Sequence, residues 1–189
     1  MKKLFLLLTL SLFILSCDKE KEGFKKEFVY SENIQDTFFG VRFGASREEV
    51  IKEFKKEGLY LDSRESNKDL LWFEPYRGDI SFGGYNWDYV LAYFSNGKFY
   101  DIVFQYTPEY KETALSQFEP VLSALSSRYK MNEKQITDTN TYKWYTALSK
   151  DGMGMAVKCF KAESNGGQMR YYVNLEYIDL ALYEPNDEL

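Results

Sequence analysis

The chain has 189 residues, with 24 Lys or Arg, 29 Asp or Glu and no His, which gives a formal net charge of −5. This length suits one domain or two small ones with a buried core, and an acidic chain argues against nucleic acid as the main partner because a phosphate backbone needs a clustered basic surface. The absence of His excludes Ser-His-Asp and Cys-His catalysis and most zinc sites, and two Cys cannot form a disulfide framework.

The N-terminal segment has the pattern of an export signal. Met1-Lys2-Lys3 is a basic head, and Leu4 to Leu15 is a run of 12 residues that is apolar except for Thr9 and Ser11. A membrane-spanning helix needs about 20 apolar residues, so this run is too short to span but suits the hydrophobic region of a secretory signal. We therefore predict that residues 1–16 are a signal peptide and take no part in the fold.

A cysteine follows this run in a recognisable motif. Ile14-Leu15-Ser16-Cys17 resembles the lipobox of bacterial lipoproteins, in which a branched apolar residue, a tolerant position and a small residue precede the cysteine. The resemblance implies cleavage before Cys17, a diacylglycerol on its sulfur and acylation of its amine, which together hold a protein durably to a bilayer. It also implies a place in the cell envelope, at the outer membrane, its periplasmic face or the cell surface. The alternative is an ordinary signal peptide with a chance cysteine.

A charged stretch separates Cys17 from the rest of the chain. Asp18 to Glu27 reads DKEKEGFKKE, in which eight of ten residues are charged. Such a stretch cannot bury enough apolar surface to offset the entropy of ordering it. We therefore predict a lipidated cysteine with a flexible tether at 17–27 and a single domain at 28–189. An exposed helical turn rich in Lys and Glu is the alternative for the tether.

The first predicted helix of this domain covers residues 46–57. Ser46 and Glu49 are spaced as a capping box, and Gly58 suits the C-terminal stop. An apolar face and a short preceding strand complete the pattern, with Val50, Ile51 and Phe54 on the face and Phe39, Val41 and Phe43 in the strand.

Asn96-Gly97 is the clearest turn signal in the chain. It predicts a type I′ hairpin between strands at 87–94 and 99–106, in which Phe94 faces Phe99 and Leu91 faces Ile102. We then expect one wholly apolar face that must be covered and one mixed face that partly meets water. The apolar face holds Trp87, Tyr89, Leu91, Tyr93, Tyr100, Ile102, Phe104 and Tyr106, and the mixed face holds Asp88, Val90, Ala92, Phe94, Phe99, Asp101, Val103 and Gln105.

The second half of the domain repeats this order of elements. A helix is predicted from Thr107-Pro108 to about Tyr129, kinked or split at Pro120, with strands following at about 142–148, 153–161 and 169–177. We predict a two-layer α+β fold, with antiparallel sheet and helices on one face, and suggest two degenerate helix-plus-meander repeats at about 38–106 and 107–178.

This arrangement resembles known folds at one point in the sequence. Phe43-Gly44-Ala45-Ser46, leading into the first helix through Val50, resembles the β-lactamase-inhibitor-like fold and the small lipoprotein of the outer-membrane barrel-assembly machine. The resemblance implies the fold and transfers no functional residue to this chain.

No residue pattern in the chain indicates a catalytic site. Cys159 lies mid-strand among apolar residues, which predicts a small buried side chain. Carboxylates such as Glu74, Asp79, Asp88 and Asp101 lie in or near strands and could pair as in a glycosidase, although such proximity is expected by chance in an acidic chain. We expect no enzyme activity, no metal and no cofactor.

The candidate binding surface is an aromatic set around a Gly- and Pro-containing region. Trp72, Tyr76 and Tyr85 could stack on a sugar or grip another envelope protein, because Trp and Tyr combine apolar area with a polar group. The alternative is that these rings fill the core. The sequence thus favours a non-catalytic binding or scaffolding lipoprotein, followed by a surface glycan-binding lipoprotein and then a carboxylate-dependent hydrolase.

Overall fold

The computed structural model describes residues 29–164 and 167–184. The predicted signal peptide at 1–16, Cys17 and the predicted tether at 17–27 lie outside these residues. The described part forms two helices, one sheet of eight strands and two small hairpins. The predicted α+β fold, with an antiparallel sheet and helices on one face, is confirmed.

The order of strands places the ends of the two halves side by side. The sheet strands are β3 (Leu59–Leu61), β4 (Leu70–Pro75), β7 (Tyr89–Ser95), β8 (Lys98–Tyr106), β9 (Asn132–Glu133), β10 (Thr141–Leu148), β11 (Met153–Glu163) and β12 (Met169–Asp179), and the hairpins pair β1 (Thr37–Phe38) with β2 (Val41–Arg42) and β5 (Ile80–Phe82) with β6 (Tyr85–Trp87). The eight-stranded sheet has the order β3-β4-β7-β8-β12-β11-β10-β9, and all neighbours are antiparallel. Each helix, α1 (Arg47–Lys56) or α2 (Lys111–Arg128), precedes four of these strands.

Helix α1 forms where its capping signals lie. The Glu49 N–H donates to the Ser46 hydroxyl at 3.3 Å, which caps the helix at its first turn. At the other end Gly58 adopts φ +81°, a left-handed conformation that favours glycine, and its N–H donates to the Lys55 carbonyl at 3.1 Å. The helix packs on the sheet through Phe54, whose ring centroid lies 5.0 Å from that of Phe73.

Helix α2 begins later than the sequence predicts. The Asp88 carboxylate accepts hydrogen bonds from both the backbone N–H and the hydroxyl of Thr107, each at 2.7 Å. This contact holds the chain beside β7, so the helix starts only after Tyr110, and the predicted start at Thr107-Pro108 is wrong. The helix continues through Pro120 without a break, so it is not split there.

A bulge changes the register of the β7–β8 hairpin. Asn96-Gly97 forms the turn, with positive φ at both residues, and Phe94 faces Phe99 as predicted. The next pair is Tyr93 with Asp101, because Tyr100 is an extra residue in β8. The predicted faces are therefore wrong beyond the turn.

The bulge makes one face of this hairpin apolar. It aligns the short apolar side chains of β7 with the larger ones of β8, so that Ala92 faces Ile102 and Val90 faces Phe104. All four side chains are fully buried and belong to the main core. The sheet thereby gains a continuous surface against which the helices pack.

The helices and both hairpins all pack on this side, which we name the inner face. Phe118 of α2 lies 6.3 Å from Tyr145 between ring centroids, and Phe38 of the first hairpin lies 5.0 Å from Tyr177. Phe82 of the second hairpin stacks on Phe104 at 3.9 Å with an interplanar angle of 8°. None of these elements therefore covers the opposite side, which we name the outer face.

Candidate functional site

The outer face carries a second set of buried side chains. Five buried apolar residues lie outside the main core: Leu91, Tyr100, Val103, Ala156 and Ile178. Along their strands they alternate with residues that belong to the main core. The strand pairing places these outer-face residues in rows. One row is Trp72, Leu91, Val103, Glu176, Ala156 and Thr146, and its neighbour is Leu70, Tyr93, Asp101, Ile178 and Gly154.

Two carboxyl groups lie at the centre of these rows. Asp101 of β8 is 6 % exposed, and Glu176 of β12 is half-buried on the adjacent strand. Burial raises the pKa of Asp101 well above its usual range, and the charge of Glu176 raises it further. Burial also raises the pKa of Glu176 to about 7, although the Lys158 ammonium opposes this shift. The two groups therefore resist carrying two negative charges together.

Tyrosine rings surround the carboxyl pair on one side. Burial raises the pKa of both Tyr93 and Tyr100, so these phenols stay neutral across the physiological range. Tyr183 follows β12 and packs on Tyr100 with ring centroids 5.5 Å apart. The segment 180–184, which we name the C-terminal strap, is fixed there because the Glu184 N–H donates to the Ser95 hydroxyl at 3.2 Å.

Unpartnered polar atoms are concentrated on the outer face. Within the described part of the chain, three buried side-chain atoms have no hydrogen-bond partner: Trp72 Nε1, Asp101 Oδ1 and Thr146 Oγ1. All three belong to the two outer-face rows. Each unpaired buried group typically costs about 1–3 kcal/mol, so their location on one face calls for a physical explanation.

Aromatic rings and amides flank the carboxyl pair on its other side. The rings of Trp72 and Tyr89 have centroids 5.1 Å apart, and those of Phe160 and Tyr172 stack at 5.2 Å. The flank also holds an amide pair and a cation: Gln105 Nε2 donates to Asn174 Oδ1 at 3.2 Å, and Lys158 Nζ lies 5.2 Å from the Trp144 ring centroid and 5.0 Å from that of Phe160.

The structure places the three sequence-predicted binding residues in different environments. Trp72 is half-buried on the outer face, whereas Tyr76 is 73 % exposed and lines a shallow cleft of about 430 Å³ beside Arg77. Tyr85 lies on the helix side, where its hydroxyl donates to the Pro120 carbonyl at 2.8 Å. Of the three, Trp72 alone belongs to the outer-face rows.

Cys159 is fully buried in the main core, as predicted. Burial raises the pKa of its thiol to about 11, which keeps it protonated and poorly nucleophilic at neutral pH. The sequence reasoning did not single out Glu176 or join it to Asp101. The available signal was a carboxylate in mid-strand, flanked directly by Leu175 and Tyr177.

Comparisons with known proteins give no further assignment. No protein-family model, curated protein or solved structure matches this chain. Across residues 29–164 and 167–184, no three carboxylate or thiol side chains lie close enough together to hold a metal ion. In the same ranges, no helix has the length and apolar character needed to cross a bilayer.

Proposed function

We propose that this chain is a lipid-anchored lipoprotein of the cell envelope that acts as a non-catalytic binding module, with the outer face as its binding surface. The lipobox-like sequence ending at Cys17 supports the anchor. The observation that carries the binding role is the outer face itself, which joins aromatic rings and amides on the side of the sheet that neither helix covers.

The composition of the outer face supports another envelope protein as the partner. Aromatic residues are enriched in protein interfaces, and charged residues are depleted at their centres. The outer face follows this pattern, since Trp72, Tyr89 and Tyr172 are half-buried there and its central carboxyl pair resists full ionisation.

A glycan is the second candidate ligand. The Trp72 and Tyr89 rings lie beside the amides of Gln105 and Asn174 in the strand register. Flat rings provide apolar stacking surface, and amides can both donate to and accept from sugar hydroxyls. This pairing of rings with amides favours a neutral, hydroxyl-rich ligand.

The carboxyl pair supports catalysis less well than binding. Asp101 and Glu176 lie on adjacent strands and provide the two carboxyl groups that a glycosidase needs. However, Asp101 is 6 % exposed and its Oδ1 atom is fully buried, so a substrate could not contact it without displacement of the surrounding tyrosines.

Site-directed photo-cross-linking in intact cells tests the proposal. A photoreactive residue replaces Tyr89 on the outer face or, as the matched control, Tyr110, which is 60 % exposed at the start of α2. We expect a dominant adduct with one envelope protein from position 89 and none from position 110. Cys17→Ala should release the chain from membranes and abolish the adduct. Equal adducts from both positions, or a Cys17→Ala chain that stays in the membrane fraction, would contradict the proposal.

A glycan array separates the two candidate ligands. Purified Cys17→Ala protein is applied to the array beside the same protein carrying Trp72→Ala or Tyr76→Ala. If a glycan is the ligand, Trp72→Ala should abolish binding and Tyr76→Ala should preserve it, because Tyr76 lies outside the outer-face rows. Loss of binding in Tyr76→Ala alone would instead assign the ligand to the exposed cleft.

A further inference from the structure

Asp101 and Glu176 are diagonal neighbours in the centre of the sheet. Asp101 faces Ile178, and Val103 faces Glu176, so the two carboxyl side chains point to the same face from adjacent strands and are two positions apart. The charge of Glu176 acts on Asp101 across this diagonal. The two groups thus form one site with two acidic members.

The hydrogen bonding of Asp101 suits a protonated acid. Its Oδ1 atom is fully buried and has no partner in the described part of the chain. The negative charge of Glu176 acts on Asp101, whereas Glu176 itself is stabilised in its charged form by the positive charge of Lys158. An unpaired ionised carboxylate is far more costly to bury than a neutral carboxyl, so Asp101 is the member of the pair that keeps a proton.

We propose that Asp101 and Glu176 form a proton-binding site that holds one proton between them, and that loss of this proton releases the C-terminal strap at 180–184. Asp101 carries the proton, and the charge of Glu176 lies beside that of Lys158. The site is a pH-sensitive latch within the domain. It does not depend on the proposed binding role of the outer face.

The bulge connects the carboxyl pair to the strap. Tyr100 is the extra residue next to Asp101, and Tyr183 of the strap packs on its ring at 5.5 Å. Beyond this contact, the strap is held through Glu184, which bonds to Ser95 and Asn96 at the hairpin turn. A second negative charge beneath Tyr100 draws water to that position and removes the packed surface on which Tyr183 rests.

The other ionisable groups near Asp101 and Glu176 keep their charge state in the pH range where this pair titrates. Tyr93 faces Asp101 from β7, and its pKa is raised by burial, as is that of Tyr100 in β8. Lys158 of β11 interacts electrostatically with both Glu176 and Asp138, which lies in the loop between β9 and β10. The pKa of Asp138 is lowered by hydrogen bonds from Thr141 and Asn140, so it stays ionised where the pair titrates.

Amide hydrogen exchange of the strap in the full chain tests the latch. The N–H groups of Leu180, Leu182 and Glu184 donate to Gly152, Asp179 and Ser95, and they report strap opening directly. After correction for intrinsic exchange, we expect their protection to fall by up to about tenfold for each pH unit between about 5 and 7. Asp101→Asn cannot lose the proton, so its protection should stay constant over this range.

Two controls make the outcome decisive. Asp79→Asn removes an exposed carboxylate that bonds to Asn86, and it should keep the wild-type fall in protection. Carboxyl NMR of the wild-type chain, which needs no variant to fold, should show one of the two groups still protonated at neutral pH. The latch is wrong if both groups titrate in the usual acidic range, if wild-type protection is constant, or if Asp101→Asn retains the fall.

Discussion

At the scale of single residues, the hydroxyl of Thr146 is a net cost to the fold. The residue is 1 % exposed and its Oγ1 atom has no partner in the described part of the chain. Thr146→Val replaces the hydroxyl with a methyl group of similar shape and should raise the free energy of unfolding by about 1 kcal/mol. Urea denaturation followed by Trp fluorescence measures this change.

The neighbouring Thr141 provides the matched control for this substitution. It is 7 % exposed in the same strand, its backbone N–H donates to the Asp138 carboxylate at 2.6 Å, and its side chain interacts with that carboxylate and lowers its pKa. Thr141→Val should therefore lower the free energy of unfolding by about 1 kcal/mol, in the opposite direction to Thr146→Val. If both variants shift the same way, the unpartnered hydroxyl of Thr146 carries no special cost.

At the scale of elements, the sequence correctly predicted those helix and strand bounds that are set by contacts between residues close together in the chain. The bounds of α1 and of β10, β11 and β12 match the predictions to within two residues, because caps and turn residues act on their own neighbours. The start of α2 was wrong because it depends on Asp88, which lies far from Thr107 in sequence. The carboxyl pair was missed for the same reason, since β8 and β12 meet only in the folded sheet.

The β-bulge at Tyr100 is a feature of strand β8 that the sequence pattern did not predict. Deleting Tyr100 removes the extra residue and leaves the other pairs of β7 and β8 in their observed register. We expect this variant to keep its sheet content by circular dichroism and to lose protection of the strap, because Tyr183 loses its ring contact.

Deleting Val103 is the contrasting change in the same strand. It moves one part of β8 by one position and turns its side chains to the opposite face, because the side-chain period of a strand is two. Ile102 and Phe104 can then no longer share the inner face, and this variant should not fold. Equal behaviour of the two deletions would show that Tyr100 is not a removable insertion.

At the scale of the whole molecule, opposing carboxyl shifts should place maximum stability on the acidic side of neutrality. Arg64 hydrogen-bonds to Asp62 and lowers the pKa of that carboxyl to about 2, so this contribution is present above about pH 4 and is lost as pH falls through about 2. Burial and the charge of Glu176 raise the pKa of Asp101 well above its usual range, so the contribution of its proton is present below about pH 4 and is lost as pH rises toward that raised pKa.

The free energy of unfolding should therefore peak between about pH 4 and 5 and fall by up to about 1.4 kcal/mol for each pH unit above that peak while Asp101 keeps its proton. Urea denaturation across about pH 2 to 9 measures the curve, with Asp101→Asn flattening its alkaline side and Asp62→Asn its acidic side. A wild-type chain whose stability rises steadily from about pH 4.5 to 7 would contradict this prediction. It would mean that Asp101 is ionised without cost, and the central carboxyl pair would then be open to solvent in the folded state.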